Sequence, residues 1–164
     1  MGASMAFPAA APGANVDITS LKGTATDDAA AAGKIGEFIE SNIAIGSAVA
    51  LSTGAAKTIT SISLTAGDWD VFGQVSFIPA GTTTMTVLAG AIHTTTDALP
   101  TSPAAGAYTA LQLPFTTGQT QSIPAGAGRR ISVAGTTTVY LIAYAAFAVS
   151  TMTGYGYIGA RRAR

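Results

Sequence analysis

SISLTAGDWDVFGQVSFIP, residues Ser61 to Pro79, alternates with a period of two on either side of Ala66-Gly67-Asp68. Trp69, Val71, Val75 and Phe77 fall on one face with Gly73 among them, and Asp70, Phe72, Gln74 and Ser76 fall on the other. Only a β-strand sends successive side chains to opposite faces in this way. Ala66-Gly67-Asp68 reads as the turn of a hairpin, with the Asp68 carboxylate bonding its own backbone. The same period returns in Thr138 to Val149, where Val139, Leu141, Ala143, Ala145, Phe147 and Val149 share a face. There the opposite face holds Tyr140, Ile142 and Tyr144, so both faces are apolar and at least one meets something other than water.

Outward from these two stretches the chain continues as strand after strand. The further candidates are residues 35–45, 48–52, 57–65, 83–93, 108–113, 119–123, 130–133 and 153–162. Gly46-Ser47, Thr53-Gly54, Pro79-Ala80-Gly81, Pro124-Ala125-Gly126 and Gly135 separate them with turn-forming residues. Regular short strands, Gly and Pro turns and no long helical period predict an all-β fold, an antiparallel β-sandwich of jelly-roll type. The longest connection, Thr94 to Ala107, contains Pro100 and Pro103 and reads as an exposed loop.

Residues 1–33 differ in kind: they are rich in Ala, Gly and Pro, and one short Ala run follows Asp27-Asp28. Such composition gives a tail with no packed core of its own. Met5, Phe7, Val16, Ile18 and Leu21 are apolar anchors that a purely solvated tail does not need. The division expected is therefore an extended N-terminal arm, 1–33, and a β-sandwich, 34–164. The opening MGASMAFPAAAPGA lacks the basic and Leu-rich parts of a signal peptide and reads as mature chain.

Composition narrows the role. A chain of 164 residues suffices for one domain with a real core. Only 10% of its residues are charged, the formal net charge is zero and 48% are hydrophobic. Ordinary soluble domains carry roughly 25% charged residues, and charge near zero promotes association. A large share of the surface is therefore expected to be subunit interface in a homo-oligomer. Balanced charge lacks the basic stripe of a nucleic-acid binder, no run of apolar residues is long enough to span a membrane as a helix, and there is no cysteine for thiol or disulfide chemistry.

Reactive side chains are few. His93 is the one histidine; a triad would need it with Asp97 and a Ser or Thr, and a metal would find only those two ligands where structural zinc takes four. Asp68 and Asp70 flank Trp69 and invite comparison with a glycosidase carboxylate pair, but the turn reading accounts for Asp68 more simply. No catalytic residue, metal ligand or cofactor is assigned. Arg129-Arg130 and Arg161-Arg162-Ala163-Arg164 hold all the arginines, and adjacent strand residues point to opposite faces, so neither cluster forms one phosphate-gripping patch. Arg161 and Arg162 are instead candidates for ion pairs at a subunit interface, with Glu37, Glu40 and Asp70 as acceptors. Tyr140, Ile142, Tyr144, Tyr155 and Tyr157 complete the interface set; the tyrosines also suit a carbohydrate-binding groove.

Gly13-Ala14-Asn15-Val16-Asp17-Ile18-Thr19-Ser20-Leu21 resembles the G-A-N-S-D-I-T-S-L element near the start of many phage fibre proteins, with Val16 where that element has Ser. The block 33–164, including SLTAGDWDVFGQVSF, TTTVYLIAYAAF and YGYIGARRAR, is similar to a family of small phage proteins of tail-fibre, head-fibre or other virion type. The strand GDWDV and the closing strand TGYGYIG resemble, more loosely, the trimeric jelly rolls of the C1q and tumour-necrosis-factor type. The resemblance implies a virion protein that trimerises through the sandwich and docks through Phe7, Val16, Asp17, Ile18 and Leu21 on a major capsid protein or another virion protein. The short chain has no fibre shaft, which favours capsid decoration or a head fibre. The alternative is a tail-fibre module whose loop, residues 94–107, recognises host-surface glycan.

Overall fold

The computed structural model describes residues 30–101, 108–126 and 128–164. The anchoring residues Phe7, Val16, Asp17, Ile18 and Leu21 lie outside the described residues. Ten strands form: β1 Phe38–Ile43, β2 Val49–Leu51, β3 Ala56–Leu64, β4 Gly67–Pro79, β5 Thr84–His93, β6 Tyr108–Gln112, β7 Gln121–Pro124, β8 Arg129–Val133, β9 Thr137–Ala148 and β10 Met152–Arg162. Among the described residues the one helical element is a single 3₁₀ turn, Ile45–Ser47, between β1 and β2.

All strand pairs are antiparallel. In sheet A, β10 and β4 are the central pair; β1 and β2 follow one another along the free side of β10, and β7 and β8 along the free side of β4. Sheet B runs β3-β9-β5-β6. Counting β1/β2 and β7/β8 as single lanes, the ten strands fill eight lanes, ordered 1-8-3-6 in one sheet and 2-7-4-5 in the other. Consecutive lanes repeatedly change sheet, as in the two interlocked Greek keys of a jelly roll. The expected β-sandwich is thus observed.

The core is the space between the sheets. From sheet A it receives Trp69, Val71, Val75, Phe77 and Ile158, and from sheet B Leu64, Leu88, Ile92, Val139 and Leu141, all fully buried. These are the residues whose alternation defines the strands, so the periodicity and the burial describe one object. Where β1 meets β3 the sheets are stitched at their edges by a hydrogen bond between the Ser41 and Thr60 hydroxyls, 2.6 Å apart.

Two local expectations are corrected. Ala66-Gly67-Asp68 does not close a hairpin, because β3 belongs to sheet B and β4 to sheet A. The segment carries the chain across the sandwich, and Asp68 is a strand residue paired with Ser132. Val149 does not continue the core face of β9. The strand ends at Ala148, and Val149 adopts φ 79° with 78% of its surface exposed. A β-branched residue in the left-handed region is strained by roughly 1–2 kcal/mol. Val149→Gly is therefore expected to leave stability unchanged or to raise it by up to about 1 kcal/mol, glycine's greater chain entropy offsetting part of the relief. Urea unfolding measures this, and a clear loss would show that the valine side chain is held by contacts within the subunit.

Candidate functional site

Among the described residues most of the charged side chains collect at one corner, where the chain enters the sandwich and where β10 closes it. Arg162, at the end of β10, is 5% exposed and points inward. Its Nε donates to Glu37 Oε2 at 2.8 Å, Nη1 to the Ala66 carbonyl at 2.8 Å and Nη2 to Thr65 Oγ1 at 2.6 Å. The guanidinium also lies 4.3 Å from the centre of the Trp69 ring, a cation–π contact. Glu37 accepts in addition from the Gly33 amide at 2.7 Å. Backbone bonds join the same segments: Gly36 N–H to the Arg162 carbonyl, and Arg162 N–H to the Glu37 carbonyl. Beside this clamp, buried Asp68 accepts from Arg130 through two guanidinium nitrogens and from Arg164 Nε at 2.8 Å.

These partners shift the acids. The Gly33 amide and then Arg162 hold Glu37 below the usual carboxylate range, and the Arg130 hydrogen bonds do the same for Asp68. Asp97 is lowered by the Thr58 backbone and side-chain bonds. Each depressed carboxylate binds protons less readily folded than unfolded, so its contribution is complete above the unfolded pKa of roughly 4 and disappears as pH falls through the lower folded value. The melting temperature is expected to stay level from about pH 7 to 5 and to drop below about pH 4. A melting temperature that rises on acidification would contradict this assignment.

The residues weighed for catalysis are engaged elsewhere. His93 Nδ1 accepts from the Thr95 amide of its own turn at 3.0 Å. Asp97 accepts from the Thr58 amide at 2.6 Å and pairs with Lys57 at 3.5 Å. The two therefore do not form the His–Asp part of a triad. Asp68 is saturated by arginines, and Asp70 is exposed.

The predicted interface residues divide between two opposite outer faces. Tyr140, Ile142 and Tyr144 lie on sheet B, and Tyr155, Tyr157 and Arg161 on sheet A, while Arg162 is committed inside the subunit. On sheet B no position that the register directs outward holds Asp, Glu, Lys or Arg. Tyr108, Tyr140 and Tyr144 are half-buried there over Ala89, Ala91 and Ile142, which are fully buried. Thr58, directly opposite Ile142, holds Asp97 and Thr96, so the segment after β5 crosses β9 and covers that end of the face. The first part of the predicted recognition loop is thus tied down against the sheet, and 102–107 lie outside the described residues.

Sheet A presents a different surface, with Glu40, Asp70, Arg130 and Arg161 pointing outward. Among them stands an aromatic group: Phe38 and Phe72 stack at 6.2 Å, and Phe72 lies 6.2 Å from Tyr157. Gly159 makes room for it, since a Cβ there would meet Tyr157 Oη at 2.6 Å and Phe72 at 3.0 Å. Tyr157 donates its hydroxyl to Glu40 at 3.0 Å, and burial, then Glu40, raises its phenol pKa. Next to this group is an open cleft of about 420 Å³ whose lining includes Asn42, Gln74, Ser76, Tyr155 and Tyr157. Asn42, Tyr157 and Gln74 stand side by side in one cross-strand row. Asn42, Gln74 and Phe72 escape sequence reasoning because their strands are far apart in the chain and only the register of β1, β10 and β4 unites them.

No protein-family model matches the chain, and no curated protein matches it. Among solved structures, a chain from the structure of infectious bursal disease virus Gx strain is similar at 13% identity and a TM-score of 0.46; the match covers 76% of this chain and 31% of that one. A chain from the crystal structure of the infectious bursal disease virus VP2 subviral particle is similar at 12% identity and a TM-score of 0.36, covering 77% of this chain and 30% of that one. The present chain thus spans less than a third of either.

Proposed function

We propose that this chain is a bacteriophage virion structural protein of the capsid-decoration or head-fibre type. Residues 1–33 anchor it to a major capsid protein or another virion protein, and the jelly roll assembles as a homotrimer. The observation that carries this reading is the outer face of sheet B. An antiparallel sheet face left to water alternates to polar and charged residues, whereas the strand positions of this one hold tyrosine, alanine, threonine and serine together with Val87, Ile142, His93 and Gln112, and no Asp, Glu, Lys or Arg. Away from the end covered by the Lys57–Asp97 pair, covering it with a second copy desolvates no carboxylate, ammonium or guanidinium. In this reading Tyr140 and Tyr144 make the contact and Ile142 supports them from beneath. A ring needs a different surface of the neighbour against this face, as heterologous contacts do.

The role is structural, not catalytic. Burying surface between capsid units stabilises the assembled state, because whatever binds that state alone shifts the equilibrium towards it. The phage-fibre element at 13–21 and the likeness of 33–164 to small virion proteins support the setting. Light scattering of the purified chain is expected to give three copies, and Tyr144→Lys folded monomers. Purified tail-less capsids should retain the full chain and lose the Ile18→Asp variant. A wild-type monomer would overturn the trimer, and retention only on tails would overturn the capsid location.

A further inference from the structure

We infer that the cleft on the outer face of sheet A, between Asn42, Gln74, Tyr155 and Tyr157, binds a neutral carbohydrate. The inference is independent of the assembly reading, which uses the opposite face of the sandwich.

A sugar ring offers an apolar C–H surface and a rim of hydroxyls, each both donor and acceptor. The cleft matches both halves. Tyr155 and Tyr157 are two residues apart on β10 and so project from the same face. Asn42 and Gln74 flank Tyr157 directly on the neighbouring strands, placing each amide about 5 Å from the tyrosine at Cβ. A primary amide both donates and accepts, the property that vicinal hydroxyls require. Both side chains are exposed, and neither amide has a hydrogen-bond partner within the described residues. Ser76 is already bonded to Ser122 at 2.7 Å and serves as a fixed wall.

The site is prepared before any ligand arrives. The hydroxyl end of Tyr157 is held by Glu40 and lies over Gly159, and its ring packs beside Phe72. A ring already ordered loses little freedom on binding, which is how preorganisation favours affinity. The volume, about 420 Å³, falls within the range of small-ligand sites. Phe72 and Phe38 extend the aromatic surface beyond Tyr157 and provide a platform for further sugar units.

Charge selects among glycans. No ionisable group other than tyrosine lines the cleft. The carboxylate nearest the row, Glu40, is exposed at its rim and satisfied by Tyr157. A sialylated or phosphorylated glycan would meet that carboxylate with no cation in the lining to offset it, so neutral oligosaccharides are the class that fits.

The test uses the full chain in its native assembly, probed first on an array of neutral and anionic oligosaccharides and then by amide NMR titration with the strongest neutral binder. The expected result is binding of a neutral oligosaccharide that shifts the side-chain amide signals of Asn42 and Gln74. Tyr155→Ala and Asn42→Ala should each weaken binding about tenfold or more, and Gln119→Ala, exposed in the connection before β7, should not. Gly159→Ala, which displaces Tyr157 and Phe72 without removing a contacting group, should weaken binding while the melting temperature changes little. Four outcomes would overturn the inference: binding of anionic glycans only, binding without shifts at Asn42 and Gln74, no binding to any neutral glycan, or loss of the oligomer in Tyr155→Ala. Failure of the capsid test leaves these readouts unchanged, so the two readings stand or fall separately.

Discussion

Replacing Arg162 with alanine is expected to cost about 3–5 kcal/mol, the usual result of removing one partner from a buried ion pair. The guanidinium holds Glu37, the Ala66 carbonyl and Thr65 and lies over the Trp69 ring. Its loss strands a carboxylate that is 7% exposed, with only the Gly33 amide left to it. Domains of this kind are stable by roughly 5–15 kcal/mol, so the variant should unfold at much lower urea concentration. The double variant Glu37→Gln with Arg162→Met should recover a substantial part of the loss, because no buried charge is then left unpaired. Arg130→Ala should have a much smaller effect, since that arginine is largely exposed and Arg164 still serves Asp68. Equal losses for Arg162→Ala and Arg130→Ala would refute the distinction between the clamp and its rim.

The second large effect is expected from a single added methyl group. A Cβ at Gly156 would sit 2.3 Å from the Gln74 carbonyl oxygen and 3.0 Å from Leu141 Cδ2. The first of these atoms is backbone of the adjacent strand, so relief requires moving β4 against β10, the central pair of sheet A. Overpacking of this kind costs about 1–3 kcal/mol and occasionally more; Gly156→Ala belongs at the upper end because a rotamer change cannot relieve it. Gly46→Ala, where a Cβ meets nothing within 4 Å, is the control and should be close to neutral. Indistinguishable urea midpoints for the two variants would show that β4 and β10 separate more easily than their register implies.

Strand positions were legible in the sequence because alternation is a local property. Each of the ten expected strands has its counterpart, with ends within a few residues. The inward set of β4, Trp69 to Phe77, could be read for the same reason. What escaped was everything that depends on which strands become neighbours. Ala66-Gly67-Asp68 has the chemistry of a hairpin turn, yet it joins two sheets, and no local signal separates these outcomes. Asp68 has the local setting of a turn residue, whereas antiparallel pairing of β4 with β8 brings Arg130 to it from 62 positions away. Arg162 had the composition of an interface residue and proved to be core, because its cross-strand partner is Trp69. The tyrosines read as one group because alternation within a strand says nothing about which sheet that strand joins.

The clamp at Glu37 and Arg162 has a mechanical consequence. Any load pulling on the chain ahead of residue 30 reaches the sandwich at this point. There it meets an ion pair, two backbone hydrogen bonds and an aromatic ring before it reaches the first rung of β1. The clamp therefore acts as a strain relief, like the collar where a cable enters its housing. A tug on the leading segment is passed to Trp69 and the central strands of sheet A and does not peel the edge strand β1 away one bond at a time. In a force-extension experiment, Arg162→Met should lower the first rupture force when the chain is pulled from its N-terminus and leave it unchanged when the pulling points lie on β3 and β6.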